Sequence, residues 1–237
     1  MSELLELKKE LRSMANPEKA KLLQGFFKTG RGEYGEGDIF LGVTVPELRK
    51  ISGKYVGLNL TDVIKLLHSE IHEERLAALL VMIDKFQAGE EQEKIYNLYL
   101  QNTEYINNWD LVDLSAHKIV GAHLSDKPKS ILIKLARSRN FWERRIAVIA
   151  TFYFIKNNEF SEAVKIAEML LSDGHDLIQK AVGWMLREVG KRDLKIEEKF
   201  LKEYCKKMPR TMLRYAIEKF PERKRKRYLK KGATSLL

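Results

Sequence analysis

Apolar residues recur along this chain at the three- and four-residue spacing of amphipathic helices, and the alternation typical of strands is hard to find. Helix-favouring Leu, Lys, Glu and Ala dominate, and there are only 5 prolines. The pattern predicts an all-α fold with helices over about 3–14, 17–28, 46–56, 60–69, 73–87, 90–101, 105–121, 128–137, 140–156, 159–172, 174–190, 195–206, 209–219 and 221–231. No linker separates two halves, so residues 1–237 are predicted to form a single domain.

The connection between the second and third predicted helices is rich in glycine, with glycines at 30, 32, 35 and 37. They do not follow a strand, and no Lys-Ser/Thr pair follows them, so this is not the pattern of a nucleotide-binding loop. Two interpretations stay open for this stretch. It is either a surface connector or a mobile loop that contacts a ligand.

One pattern repeats over most of the chain. The segments that align begin at Arg75, Asp110, Arg145, Lys180 and Arg214, which are 35, 35, 35 and 34 residues apart. Such a period is typical of stacked helix pairs that bury their apolar faces on their neighbours. The tetratricopeptide pattern of this length does not fit, because its Trp, Leu-Gly and Tyr positions are missing. The repeat predicts an α-solenoid of HEAT-like two-helix repeats, curved around a concave basic groove.

Four of the five starting positions carry a cation: Arg75, Arg145, Lys180 and Arg214. Equivalent positions in a solenoid line up on one surface, so one interpretation is that these cations follow a phosphate backbone. The alternative is that each cation pairs with an acid of the neighbouring repeat.

The central repeat departs from this pattern. Asp110 takes the position of the cation, and Asp113 takes a position that is apolar or glycine in the other repeats. A carboxylate in such a register must be paired, hydrogen-bonded or exposed in a cleft. We expect one of the two aspartates to be structural, bonded to neighbouring helix termini, and the other to face a cleft. Trp109 adjoins them, and the other two tryptophans, Trp142 and Trp184, fall in the next two repeats, as core residues or as parts of a site.

The charge of the chain suits a partner with many phosphates or an anionic membrane surface. The net charge is +10, and the predicted basic C-terminal helix, residues 221–237, supplies +6 of it with seven cations and one acid. No apolar run is long enough to cross a membrane, and Cys205 is the only cysteine. These features predict a cytoplasmic protein.

Three motifs carry a family resemblance. They are NNWDLVD (107–113), FWERRIAVIA (141–150) and IQKAVGWMLRE (178–188), supported by NPEKA (16–20) and FLGVTVPELRK (40–50). Together they resemble the AlkD-type DNA alkylation repair family of HEAT-like DNA glycosylases, over nearly the whole chain. Thr44 stands where that family has a polar Gln, and Phe26 stands where a Tyr occurs.

The resemblance implies hydrolytic removal of positively charged 3- and 7-alkylated purines from double-stranded DNA, as base excision repair by a monomer. It implies that Asp113 is the catalytic carboxylate and that Trp109 and Trp184 pack against the damaged nucleoside. Asp110 is then expected to be structural, and the protein is expected to be bound to the DNA of the nucleoid. The resemblance also implies that Arg145 and Arg187 hold DNA near the lesion. We expect Arg144, Lys180, Arg214 and Trp142 to extend that contact.

The residues fit this chemistry. A carboxylate stabilises the sugar cation formed on glycosidic cleavage, and an alkylpurinium needs no acid because it already carries a positive charge. Electron-rich indole faces favour such a cation. His68 and His72 lack the Glu of a zinc-protease motif, so no metal or other cofactor is predicted. The alternatives are a non-catalytic HEAT-repeat protein that binds DNA structures and a protein-interaction scaffold.

Overall fold

The computed structural model describes residues 2–233 and contains fourteen α-helices within them. In order these are α1 Glu3–Ser13, α2 Pro17–Phe26, α3 Val45–Ser52, α4 Leu60–Leu67, α5 His72–Gln87, α6 Gln92–Gln101, α7 Trp109–Ala116, α8 Ser130–Ala136, α9 Phe141–Lys156, α10 Ser161–Met169, α11 Asp176–Gly190, α12 Leu194–Tyr204, α13 Arg210–Ala216 and α14 Glu222–Ala233. Among the described residues no strand forms, and one isolated parallel bridge joins Ile39 to Ile71. The all-α prediction is confirmed.

The predicted helix over 105–121 has a different structure. A 3₁₀ turn occupies Thr103–Tyr105, α7 begins only at Trp109, and the segment His117–Gly121 is π-helical. At this start the side-chain oxygen of Asn108 accepts the N–H of Trp109 at 2.8 Å. Asn and Asp side chains that bond to nearby backbone groups are favoured at helix ends over the helix interior.

The chain forms two compact units, residues up to Ser115 and residues from Ala116 onward. The single domain over 1–237 and the concave basic groove therefore stay predictions. Of the predicted basic C-terminal helix, α14 forms over Glu222–Ala233, and residues 234–237 lie outside the described part of the chain.

The first unit is built around α5, which packs against α1, α3, α4 and α6 and is buried on nearly all sides. Its Glu73 carboxylate accepts the backbone N–H groups of Leu41, Gly42 and Val43 at 2.9, 2.8 and 3.2 Å. These bonds fix the loop between α2 and α3 against the start of α5. Gly42 has φ +86°, and a Cβ there would lie 2.2 Å from the carbonyl oxygen of Asn16, so this loop requires glycine.

In the second unit, the repeat helices stack in succession. The π-helical segment packs on α9, α9 packs on α11, and α11 packs on α13, while α8, α10 and α12 flank them. Gly183 allows the last of these contacts, because a Cβ there would lie 2.4 Å from the carbonyl oxygen of Met212. This stacking is consistent with the predicted α-solenoid.

The same turn precedes α5, α9 and α11. A side-chain oxygen accepts the N–H two residues later, in the pairs Ser69–Ile71, Ser138–Asn140 and Asp173–His175. The residue six positions after each of these three donates a side-chain hydrogen bond to the backbone carbonyl of that first residue. The pairs are Arg75–Ser69, Arg144–Ser138 and Gln179–Asp173. By its hydrogen bonds Arg75 is therefore equivalent to Arg144. The sequence alignment instead pairs Arg75 with Arg145, the next residue.

Candidate active site

A buried charge cluster anchors the start of α7 in the first unit. Its centre is His72, which is 2% exposed and donates from Nε2 to Asp110 at 2.8 Å and from Nδ1 to Asp38 at 3.0 Å. Arg75 pairs with the other oxygen of Asp38 at 2.5 Å, and the amide of Asn108 donates to Asp38 at 3.1 Å. The cluster thus joins the loop after α2, the start of α5 and the start of α7.

His72 carries a positive charge at neutral pH. Its burial favours the neutral form, but the charge of Asp110 and the hydrogen bonds to Asp110 and Asp38 outweigh burial and raise the pKa of His72 to about 9. Burial likewise opposes ionisation of Asp38, yet its bond to His72 and the charge of Arg75 lower the pKa of that carboxyl. The four charged side chains therefore form two balanced, buried ion pairs.

Four rings stack outward from this cluster to Trp109. His72 stacks on Phe40 with centroids 4.4 Å apart, Phe40 on Phe27 at 5.0 Å, and Phe27 on the half-buried Trp109 at 4.9 Å. Phe26 meets the edge of the column 5.8 Å from Trp109 and is 64% exposed. The orientation of the indole is therefore set by rings that themselves rest on the charge cluster.

Asp113 lies on α7 four residues after Trp109, on the same side of the helix, and is half-buried. Its charge acts on Tyr99. Burial raises the pKa of Tyr99, the hydrogen bond with Ser115 at 2.9 Å lowers it, and the negative charge of Asp113 raises it further. Asp110, by contrast, is buried and bonded to His72 and to the N–H of Leu111 at 2.9 Å. The two aspartates of this repeat thus lie in different environments.

A pocket of about 360 Å³ lies beside the ring column, lined mainly by apolar side chains of α2 and of the loop before α3. Phe26, Phe27 and Phe40 contribute aromatic walls, and His72 and Asp110 are among its polar lining residues. Thr44 and Phe26, the two positions that depart from the family resemblance, both line this pocket.

A family model described as DNA alkylation repair enzyme matches residues 7–220. The chain belongs to this family. Membership assigns it a role in DNA alkylation repair, with DNA as its partner. The family resemblance read from the three motifs is thereby confirmed.

A solved structure described as a predicted DNA alkylation repair enzyme from Enterococcus faecalis has the same fold. The TM-score is 0.70 at 20% sequence identity, covering 88% of this chain and 98% of that one. No curated protein matches the chain. Within residues 2–233 no helix is long and apolar enough to cross a membrane.

Trp184, the other predicted nucleoside-packing residue, lies on α11 of the second unit. Its half-buried indole donates from Nε1 to Glu188 at 3.2 Å and lies 5.9 Å from the ring of Phe152. Burial opposes ionisation of Glu188, but its bonds to Lys191 and Trp184 lower the pKa of the carboxyl. The orientation of Trp184 is therefore fixed by an ionised neighbour one turn along its own helix.

The predicted DNA-binding residues of the second unit differ in exposure. Arg145 and Trp142 are each 5% exposed, and Arg145 donates to the carbonyl of Leu177. Ion pairs join three other cations to acids, in the pairs Arg144–Asp173, Lys180–Asp176 and Arg187–Glu218. Arg214 is exposed, and among the described residues it takes part in no ion pair. Their contacts with DNA stay predictions.

Sequence reasoning missed most of the buried cluster. His72 attracted notice only for its spacing from His68, and Asp38 stands at the end of the glycine-rich stretch without any motif. The available signal was local. His72, Glu73, Glu74 and Arg75 are four consecutive polar or charged residues at the start of α5, and the eight residues that follow them are apolar.

Proposed function

We propose that this chain is a DNA glycosylase that hydrolyses the N-glycosidic bond of positively charged 3- and 7-alkylpurines in double-stranded DNA, as a monomer in base excision repair. The observation that carries the proposal is the setting of Asp113. It is a half-buried carboxylate one turn after Trp109 on α7, and the start of that helix is anchored by His72 through Asp110. Membership of the DNA alkylation repair family supports it.

The reaction needs little from the protein beyond charge and placement. The bond between C1′ and the purine nitrogen breaks, and its electron pair neutralises the cationic base, which leaves without an acid. Asp113 stabilises the cationic sugar and orients a water whose oxygen bonds to C1′ and whose proton passes to the carboxylate or to solvent. The face of Trp109 favours the cationic base, by about 0.5–2 kcal/mol.

The remaining residues are proposed to act in structure or in DNA binding. Asp110 is structural, because it is bonded to His72. Trp184, Arg145, Arg187, Lys180, Arg144, Arg214 and Trp142 remain proposed contributors to DNA binding. Exposed Arg214 can meet a phosphate as it stands, whereas Arg187 and Arg144 would exchange a carboxylate partner for one.

The test measures purine release from methylated duplex DNA by the wild type, Asp113→Asn and the matched control Asp126→Asn. Asp126 is exposed and lies outside the cluster. We expect release by the wild type and the control, and a loss of roughly 100-fold or more in Asp113→Asn, the scale of removing one electrostatic group from a reacting centre.

Binding to undamaged duplex, measured with the same proteins, shows that each variant is folded. Binding without release by the wild type would favour the alternative, a non-catalytic protein that binds DNA structures. Equal release by the wild type and Asp113→Asn would refute the role of Asp113.

A further inference from the structure

A second pocket, of about 220 Å³, lies in the second unit where α11, α12, the end of α13 and the start of α14 meet. Four cations line it: Arg187, Lys191, Lys219 and Lys224. A water molecule takes roughly 30 Å³ of liquid volume, so the pocket has room for a tetrahedral oxyanion of five heavy atoms. The acids paired with these cations, Glu188, Glu198 and Glu218, are not among the described residues that line the pocket.

Glu197 also lines this pocket, and the residue is 2% exposed. Its Oε1 has no hydrogen-bond partner among the described residues. A Cβ at position 190 would lie 1.6 Å from Glu197 Oε2, so Gly190 is what allows the carboxyl to occupy this place. A buried polar atom without a partner is costly, and this one adjoins a cavity that a ligand can fill.

Glu197 is a hydrogen-bond donor at neutral pH. Burial raises the pKa of its carboxyl to about 8; the charges of Lys224 and Arg187 lower it, and that of Glu198 raises it. The protonated group has an O–H to donate, whereas the ionised group accepts only. At neutral pH the pocket lining therefore contains four cations, each paired with an acid outside the lining, and a neutral donor. This lining is complementary to an oxyanion.

We propose that this pocket binds a phosphate group, with the Glu197 carboxyl donating to one phosphate oxygen and the four cations balancing its charge. The site shares Arg187 with the proposed DNA contact, but its phosphate binding does not depend on the proposed chemistry at Asp113. The phosphate belongs either to a DNA backbone or to a free phosphate compound. Lys219 is exposed, and its ion pair with Glu218 is exposed too, so a ligand can contact this cation without breaking a buried ion pair.

Sulfate is the probe that tests the site, because its charge stays constant between pH 6 and 9. We expect saturable binding to the wild type at about pH 6.5, measured by calorimetry. At about pH 9 the affinity should fall roughly tenfold, because a group with a pKa of about 8 keeps its proton in roughly one molecule in eleven there. Glu197→Gln keeps an N–H donor at every pH, so its sulfate affinity should be nearly the same at both.

Lys219→Ala should weaken sulfate binding, and the control Lys202→Ala, exposed on α12 and outside the pocket lining, should not. Thermal unfolding of each variant shows that it is folded. The proposal is overturned if folded wild type binds no sulfate at about pH 6.5, or if Glu197→Gln shows the same pH dependence as the wild type.

Competition identifies the source of the phosphate. Undamaged duplex DNA should displace sulfate if the pocket takes a backbone phosphate. If the ligand is a free phosphate compound, inorganic phosphate should displace sulfate and duplex DNA should not. None of these measurements uses purine release, so failure of the pocket and failure of the proposed glycosylase are distinguishable.

Discussion

Replacing His72 with phenylalanine is expected to destabilise the first unit strongly, and by an amount that depends on pH. The substitution keeps a ring to stack on Phe40, 4.4 Å away, and removes only the charge and the two hydrogen bonds. Asp38 and Asp110 would then be left buried, and Asp110 would lack its cationic partner. Removing one partner of a buried ion pair costs about 3–5 kcal/mol.

The raised pKa of His72 gives a second, independent value for its contribution to the free energy of unfolding, and it fixes how that contribution changes with pH. The folded value of about 9 lies above the ordinary value of 6.5. The difference of roughly 2.5 pKa units corresponds to about 3 kcal/mol. Because the folded pKa is raised, this stabilisation is fully present below about pH 6.5 and is lost as pH rises through about 9.

The assay is urea unfolding followed by circular dichroism, for the wild type and His72→Phe at about pH 6, 7.5 and 9.5. The informative quantity is the difference in unfolding free energy between the two proteins at each pH, because the titration of Glu197 cancels in it. We expect this difference to shrink by about 3 kcal/mol from the lowest to the highest pH. His68→Phe removes an exposed imidazole outside the cluster and serves as the control.

A difference that stays constant over this range would refute the assignment of His72 as a buried imidazolium. A difference near zero at about pH 6 would refute the larger claim that the cluster stabilises the start of α7.

Two further predictions concern the second unit. Gly183→Ala should lower the free energy of unfolding by about 1–3 kcal/mol, because the new methyl group would lie 2.4 Å from the carbonyl oxygen of Met212 and must separate α11 from α13; unchanged urea unfolding would contradict this. Arg214→Ala should leave stability within about 0.5 kcal/mol of the wild type and make the salt dependence of duplex binding shallower, whereas Arg145→Ala should also lower stability because its guanidinium is bonded to Leu177. Equal stability of the two arginine variants would contradict the contrast in burial.

The sequence by itself determined the local features of this protein. Helix periodicity and capping residues depend on neighbours three or four positions away, so the helices could be predicted, as in the Asn16 cap of α2. The 35-residue period predicted the repeated helices because each repeat meets the same packing demand. It also singled out Asp110 and Asp113, since their charges break a pattern that the other repeats keep.

The tertiary structure decided which charged residues meet. His72 binds Asp38 and Asp110, 34 and 38 residues away, and no local rule selects those partners among the 33 acids of the chain. The glycine-rich stretch is a further case. Its end supplies Asp38 to the cluster. Gly35 is buried, and a Cβ there would lie 2.5 Å from the carbonyl oxygen of Phe27, so this position requires glycine. Neither sequence interpretation of that stretch included this role.

The same limit applies to the cations. Alignment placed Arg75, Arg145 and Arg214 at equivalent positions, yet Arg75 is paired with Asp38, Arg145 is buried against a carbonyl, and Arg214 is exposed. A side chain's chemical type and its register can be read along the chain. Its exposure and its partner depend on which other segments pack against it, and folding brings those segments together from distant parts of the sequence.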